Sequence, residues 1–223
     1  MSDTDRHSKA LEPELVEDPD EKAKVEAANG LRQYDQVYEM VREWTSPERP
    51  FKLRLSMILG LQRTALEGLS LYAGNFRPGS VEIGKSKHTP PAAHLVPELV
   101  EDMCDYVSDE WSTKTPIHLS AYVMWRLNWI HPFADGNGRT SRAVSYLVLC
   151  VKSGNLLPGN KTIPEQITQS KQPYYDALEA ADKAWTTGAL DLSEMEDLLS
   201  AALATQLAEY HRTATGWTDP QLP

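Results

Sequence analysis

Three consecutive stretches decide the fold: Ile117 to Ile130 reads IHLSAYVMWRLNWI, His131 to Ser141 reads HPFADGNGRTS, and Arg142 to Val151 reads RAVSYLVLCV. The outer two are apolar nearly all round, the pattern of helices buried in a core rather than laid on a surface. Between them a short polar loop holds His131, Asp135, Gly136, Asn137, Gly138 and Arg139, and Arg142 follows at once. A histidine, a carboxylate, two glycines and two arginines beside a core are costly unless they are bonded or put to use. The loop therefore reads as a chemical site set between two central helices.

Outward from this centre the pattern is helical. Residues 1 to about 20 are charged, contain prolines and lack aromatics, and are expected to be disordered or ordered only against a partner. Glu21 to about Trp44 carries Val37, Val41 and Trp44 on one face, with Tyr34 and Tyr38 a turn apart, and Asn29-Gly30 is expected to break or kink it near its start. Ser46-Pro47-Glu48-Arg49-Pro50 is a connector, and Lys52 to about Leu71 is a second helix with Leu55, Ile58, Leu61 and Leu66 inward. Glycines and prolines then punctuate Ala73 to Pro91 around the alternating run Val81-Glu82-Ile83, which predicts an irregular hairpin. Pro97 to Trp111 is a third helix. Gly154 to Pro173 reads as a long loop, and Tyr174–Trp185 and Ser193–His211 as two amphipathic helices, the second opened by a capping box of Ser193 and Glu196. The fold class is all-α with one short β-hairpin. The division is an acidic tail (1–20), an N-terminal helix region (21–50), a main domain (51–212) and a C-terminal tail (213–223).

Bulk composition narrows the function. The chain has 223 residues, 41% of them hydrophobic, enough for a real core. With 32 acidic and 22 basic residues the net charge is −10, which argues against broad affinity for nucleic acid or anionic membranes. Residues 1–26 hold nine acids and four bases, whereas residues 51–91 hold six bases and two acids. The basic stretch either faces an anionic ligand or is a solvated surface. Cys104 and Cys150 have no metal-ligand or redox spacing and read as buried thiols. The polar, acidic N-terminus and the lack of a membrane-length apolar run predict a soluble, cytoplasmic protein.

The loop's residue types suit a phosphate. Gly136 to Arg139 would open the helix after it, where backbone N–H groups and the helix dipole favour an anion. Gly136 and Gly138 let the backbone fold into a nest of donors, to which Asn137 adds a side-chain donor. Arg139 and Arg142, three apart, can fork onto phosphate oxygens, and two arginines suggest a di- or triphosphate. Asp135 is a hard ligand suited to Mg²⁺ shared with phosphates. His131 is suited to take a proton from a hydroxyl. Pro132 and Phe133 would pin the loop to the core.

In this order the residues resemble the signature of Fic domains, HPFx[DE]GNGRxxR, at every defining position: His131, Pro132, Phe133, Asp135, Gly136, Asn137, Gly138, Arg139 and Arg142. Weaker resemblance spans about residues 30–205, including Leu31-Arg32-Gln33-Tyr34-Asp35, Pro90-Pro91 and Leu95-Val96-Pro97-Glu98-Leu99. The resemblance implies a Fic-type helical bundle with a short β-hairpin flap, and transfer of AMP from ATP to a protein hydroxyl. It assigns His131 as general base for a Ser, Thr or Tyr hydroxyl and Asp135 as the Mg²⁺ ligand. Gly136, Asn137 and Gly138 would bind phosphates, and Arg139 and Arg142 would hold the β- and γ-phosphates. The flap, roughly Val81–Pro91, would pair with the target's backbone by strand addition. Val81, Ile83, Gly84, Lys85, Lys87 and His88 are its candidate contacts, although Lys85, Lys87 and His88 read equally well as solubilising groups. Partners are then a hydroxyl-bearing protein, this chain itself by self-modification, a second copy, or a separate antitoxin.

Many Fic proteins carry an inhibitory helix of pattern [ST]xxxE[GN]. Here Glu67 is followed by glycine but lacks the serine or threonine four residues before it, and at Ala28-Asn29 alanine stands where glutamate would. Glu26 is an outlying candidate. The chain is accordingly expected to lack inhibition in cis. Relatives that transfer phosphate lack the GNGR glycines present here, which favours AMP. Another nucleotide or headgroup donor, AMP removal, or a binding module without turnover are the alternatives.

Overall fold

A computed structural model of the chain describes residues 6, 8–9, 12–46 and 50–216. The central part of the 46–50 connector, several residues of the acidic tail and the end of the C-terminal tail lie outside the described residues. The chain divides into two compact units after Asn155.

In the first unit, α1 (Pro19–Trp44) is followed by α2 (Leu55–Leu66), α3 (Val96–Asp109), α4 (Pro116–Ile130) and α5 (Asn137–Lys152). The all-α class expected from sequence holds. Local chemistry starts the helices: Asp18 accepts from the Glu21 N–H before Pro19, and Thr115 accepts from the His118 N–H before Pro116. The pair α4 and α5 forms the centre, with Leu119, Val123, Trp125, Leu127, Val144, Leu147 and Val148 fully buried. Two small residues bring their backbones close. The Ser120 and Ser145 hydroxyls lie 2.7 Å apart, and each also lies within reach of the other residue's carbonyl, at 3.1 and 2.9 Å, so that each single proton has an acceptor. A polar pair in the core is thus fully bonded.

Asn29-Gly30 does not break α1. Asn29 is buried, and its amide donates to the carbonyls of Ala65 (3.2 Å) and Glu67 (2.8 Å), which the end of α2 leaves without helical partners. Gln33 donates likewise to Leu61 at 2.9 Å. These bonds lock α1 to α2 and outweigh the poor helix propensity of the two residues. Cys104 and Cys150 are buried, as expected, and burial pushes the Cys104 thiol up to about 12.

The flap region differs from a hairpin. It contains one strand, β2 (Glu82–Ile83), followed by a turn in which Ser86 N–H donates to Ile83 at 3.2 Å and Lys85 takes φ +60°. No returning strand forms within 73–91. The partner of β2 is β1 (Ser8–Lys9), antiparallel, with Ser8 opposite Ile83 and Lys9 opposite Glu82. The prolines and glycines that end the flap remove the donors and order a return strand needs. Ser8 and Lys9 of the acidic tail thus pair within their own chain.

In the second unit, α6 (Ile163–Gln169) lies within the stretch read as a loop, before α7 (Gln172–Thr186) and α8 (Ser193–Thr215). The buried Gln206 explains it: its Oε1 accepts from Ile163 N–H at 3.1 Å, and its Nε2 donates to Pro158 at 3.0 Å. The N-cap of α8 is Leu192, one residue before Ser193, and the Asp191 carboxylate takes the Ser193 N–H at 3.0 Å. Among the described residues, no helix is long and apolar enough to cross a membrane.

Candidate active site

His131 ends α4 with φ +51°, a left-handed conformation that costs a non-glycine residue about 1 kcal/mol. It is paid for by the surroundings. The His131 N–H closes the helix on Leu127 at 2.9 Å, and the His131 carbonyl accepts from Arg77 Nε at 2.9 Å. The ring is buried, 5% exposed. Its Nδ1 faces the Asn128 carbonyl at 3.3 Å, which requires the proton on Nδ1 and leaves Nε2 an acceptor. Burial holds the imidazole down to about 4, against a smaller upward pull from the Asn128 carbonyl. The ring is therefore neutral near pH 7.

The turn after it is built by Asn137. Its Oδ1 accepts from Phe133 N–H at 2.9 Å and its Nδ2 donates to the Phe133 carbonyl at 2.8 Å. Asn137 thus folds the loop first, and only its second amide hydrogen points elsewhere. Phe133 is fully buried and stacks on Phe76 with centroids 6.0 Å apart, as its expected pinning role requires. Gly136 takes φ +79° and precedes α5, and a Cβ there would run into Leu66. Both demands exclude other residues. The N-cap Gly136 offers no capping side chain, so the first N–H groups of α5 stand uncapped beside the loop.

The charged residues gather at this helix end. Asp135 Oδ1 accepts from Gly136 N–H at 2.6 Å, and Oδ2 pairs with Arg139 at 3.1 Å. Arg142 folds back over Gly138, whose Cβ, if present, would stand 3.2 Å from Nη1. His131, Asp135, Gly136, Asn137, Gly138, Arg139 and Arg142 are brought together, while Lys85 and Lys87 of the flap are exposed. Val81 is buried, Ile83 and Gly84 are half-buried, and His88 bonds the Trp129 carbonyl at 2.7 Å, anchoring the flap to α4.

Four further residues join the site, and of these the sequence pointed only to Glu26, as an outlying candidate. Arg77 is 3% exposed and binds the carbonyls of His131, Gly79 (2.8 Å) and Pro91, tying both ends of the flap to the loop. Gln62 donates to the Asp135 carbonyl at 3.2 Å and accepts from Gly74 N–H at 2.5 Å. Glu26 stands 3.5 Å from Arg139. Ser8 places its hydroxyl 2.8 Å from His131 Nε2. Arg77 and Gln62 sit amid unremarkable loop and helix sequence, and Ser8 lies in a stretch whose composition points to disorder.

Residues 52–149 match the Fic/DOC family. That stretch, a little under half of the chain, is similar to this family, and the helical bundle around the loop has the fold of solved Fic-protein structures. The protein adenylyltransferase fic-1 of Caenorhabditis briggsae is 32% identical over 136 residues, 59% of this chain and 24% of that protein. A probable protein adenylyltransferase of Aquifex aeolicus is 23% identical over 184 residues, 82% of this chain and 56% of that one. Among solved structures, Fic-1 of C. elegans superposes with a TM-score of 0.64 at 23% identity, covering 85% of this chain and 52% of that one. A Fic-domain signalling protein of Bacteroides thetaiotaomicron gives 0.65 at 19% identity, covering 89% and 76%. The chain spans about a quarter of the length of the curated nematode relatives it matches.

Proposed function

We propose that this chain transfers AMP from ATP to a hydroxyl side chain of a protein. The observation that carries the reading is a neutral, buried imidazole whose Nε2 faces a hydroxyl at 2.8 Å, next to the uncapped N-terminus of α5. Such a site offers a base for the acceptor and a cradle for the anionic donor within one loop. The relatives named as protein adenylyltransferases agree with it.

In the reaction the acceptor's backbone lies along β2, as a strand on the flap edge. His131 Nε2 takes the hydroxyl proton as the oxygen attacks the α-phosphorus. The α-phosphate rests on the N–H groups of Gly136 to Arg139, and Arg139 and Arg142 hold the β- and γ-phosphates so that pyrophosphate leaves in line. The bound nucleotide's charge would also raise the His131 pKa toward a useful value. Asp135, a partly exposed carboxylate beside this cradle, fits Mg²⁺, which commonly takes one carboxylate and completes its shell with phosphate oxygens and water. Bound there, the ion would neutralise charge on the phosphates.

The test is label transfer from ATP carrying α-³²P, with Mg²⁺, to a cell lysate, comparing wild type with His131→Ala. Loss of the base is expected to cut labelling by roughly 10²- to 10⁴-fold while ATP binding persists. Equal labelling by the two chains would overturn the assignment of His131, and no labelling by either would favour a module that binds without turnover.

A further inference from the structure

We infer that Ser8 of the chain's own N-terminal segment is an acceptor of the transferred group, modified within the same molecule. The inference rests on the AMP-transfer reading and adds the residue that receives the AMP.

Ser8 stands where the acceptor must. β1 pairs antiparallel with β2, Ser8 opposite Ile83, so this segment occupies the flap edge as an added strand. Its half-buried hydroxyl is held by two groups at once: it lies 2.8 Å from His131 Nε2, and Asn137 Nδ2 donates to it at 3.2 Å. These contacts fix the direction of the proton. The Asn137 amide is oriented by the Phe133 N–H on its oxygen, so its nitrogen can only donate. The His131 Nδ1 proton is directed at Asn128, so Nε2 can only accept. The one proton left between serine and histidine is the hydroxyl's own, aimed at the base.

The segment is also tethered. Glu12 accepts from the Ser70 hydroxyl at 2.9 Å, and Glu14 pairs with Lys22 at 2.6 Å on the first turn of α1. Ser8 and His131 are thus held in one molecule and need no encounter, which favours reaction in cis. A segment serving only to pair with β2 would need no hydroxyl at this position.

The step balances with ATP as co-reactant. The Ser8 O–H gives its proton to His131 Nε2 and its oxygen forms a bond to the α-phosphorus. The bond from that phosphorus to the bridging oxygen breaks, and pyrophosphate leaves with the electron pair. The products are a Ser8–AMP phosphodiester, pyrophosphate and a proton that His131 passes to solvent.

The experiment incubates the full-length chain with Mg²⁺ and α-³²P-ATP and maps the label by peptide mass spectrometry. Wild type, Ser8→Ala, Ser8→Thr and His131→Ala are compared at several protein concentrations, with lysate labelling run in parallel. The expected result is a label on Ser8 at a rate independent of protein concentration, lost in Ser8→Ala to the level of His131→Ala and retained in Ser8→Thr. A label confined to another residue, or one whose rate rises with protein concentration, overturns the inference. So does an unlabelled chain that still labels lysate proteins in a His131-dependent way: AMP transfer then stands and Ser8 acts as a mimic of the acceptor. If neither the chain nor the lysate is labelled, the AMP-transfer reading itself falls, and Ser8 with it.

Discussion

The two segments that meet at His131 are built on opposite principles. The loop from Pro132 to Gly138 is largely buried, and its backbone is bonded by Asn137, Arg77 and Gln62. The flap from Val81 to Pro91 has exposed or half-buried residues at all but Val81, and is held by Arg77 and His88. The groups proposed to handle the nucleotide are thus set by the core. The surface proposed to receive the acceptor is set by a few bonds and an open backbone edge. A catalytic constellation works only within a narrow geometry, whereas an edge that pairs through backbone alone accepts many sequences. The N-terminal segment, with Ser8, is one occupant of that edge.

The sharpest break of this contrast is Gly136→Ala. It places a side chain in a left-handed conformation and against Leu66, and is expected to cost about 2–4 kcal/mol of stability. Gly30→Ala, with open space around it in α1, should stabilise by about 0.5–1 kcal/mol. Urea denaturation of the two variants gives the comparison directly.

Arg77→Ala attacks the link between the segments. It strands three carbonyls that a buried guanidinium now satisfies, and should cost about 2–3 kcal/mol. Acceptor KM is expected to rise more than KM for ATP, because both ends of the flap lose their anchor. Equal changes in the two would show that Arg77 serves only the loop.

Acid should weaken the buried histidine's contribution. The His131 pKa lies near 4 in the folded chain and near 6.5 when unfolded, so between these values only the unfolded state binds the proton. Stability present above pH 6.5 is then lost as pH falls toward 4, by up to about 3 kcal/mol at roughly 1.36 kcal/mol per pKa unit. Comparing stability against pH for wild type and His131→Asn isolates this slope, and its absence would mean that the ring is solvated.

The smallest effect belongs to Glu26→Gln. Glu26 pairs with Arg139 at 3.5 Å, where both side chains are partly exposed, and such pairs are worth about 0.2–1 kcal/mol. KM for ATP should fall by no more than about fivefold as Arg139 is released to the phosphates, a conversion of that energy. A rise in transfer of a hundredfold or more would instead make Glu26 an inhibitory clamp.

The neighbours of the loop show what could be read in advance. The apolar flanks at 117–130 and 142–151 predicted α4 and α5 because a helix apolar all round has only the core to enter. The loop between them declared its residues because glycine, asparagine and arginine at this spacing have few joint structural uses. By contrast, Asn29-Gly30 reads as a break yet lies inside α1, since its partners, the carbonyls at the end of α2, are 36 and 38 residues away. Helix α6 was hidden for a similar reason: Gln206, which accepts its first N–H, is 43 residues downstream of Ile163.

What the sequence determined by itself is local: helical periodicity, the glycines of a left-handed turn and the chemistry of the His131–Arg142 loop, all set within a few residues of chain. The tertiary structure alone decided how that chemistry is poised. The depressed basicity of His131 comes from burial, the anchoring of the flap from Arg77 reaching across 54 residues, and the strand beside β2 from a segment whose composition argues for disorder. Each depends on groups far apart in sequence, whose pairing is selected by which buried donors and acceptors the completed core leaves to be satisfied.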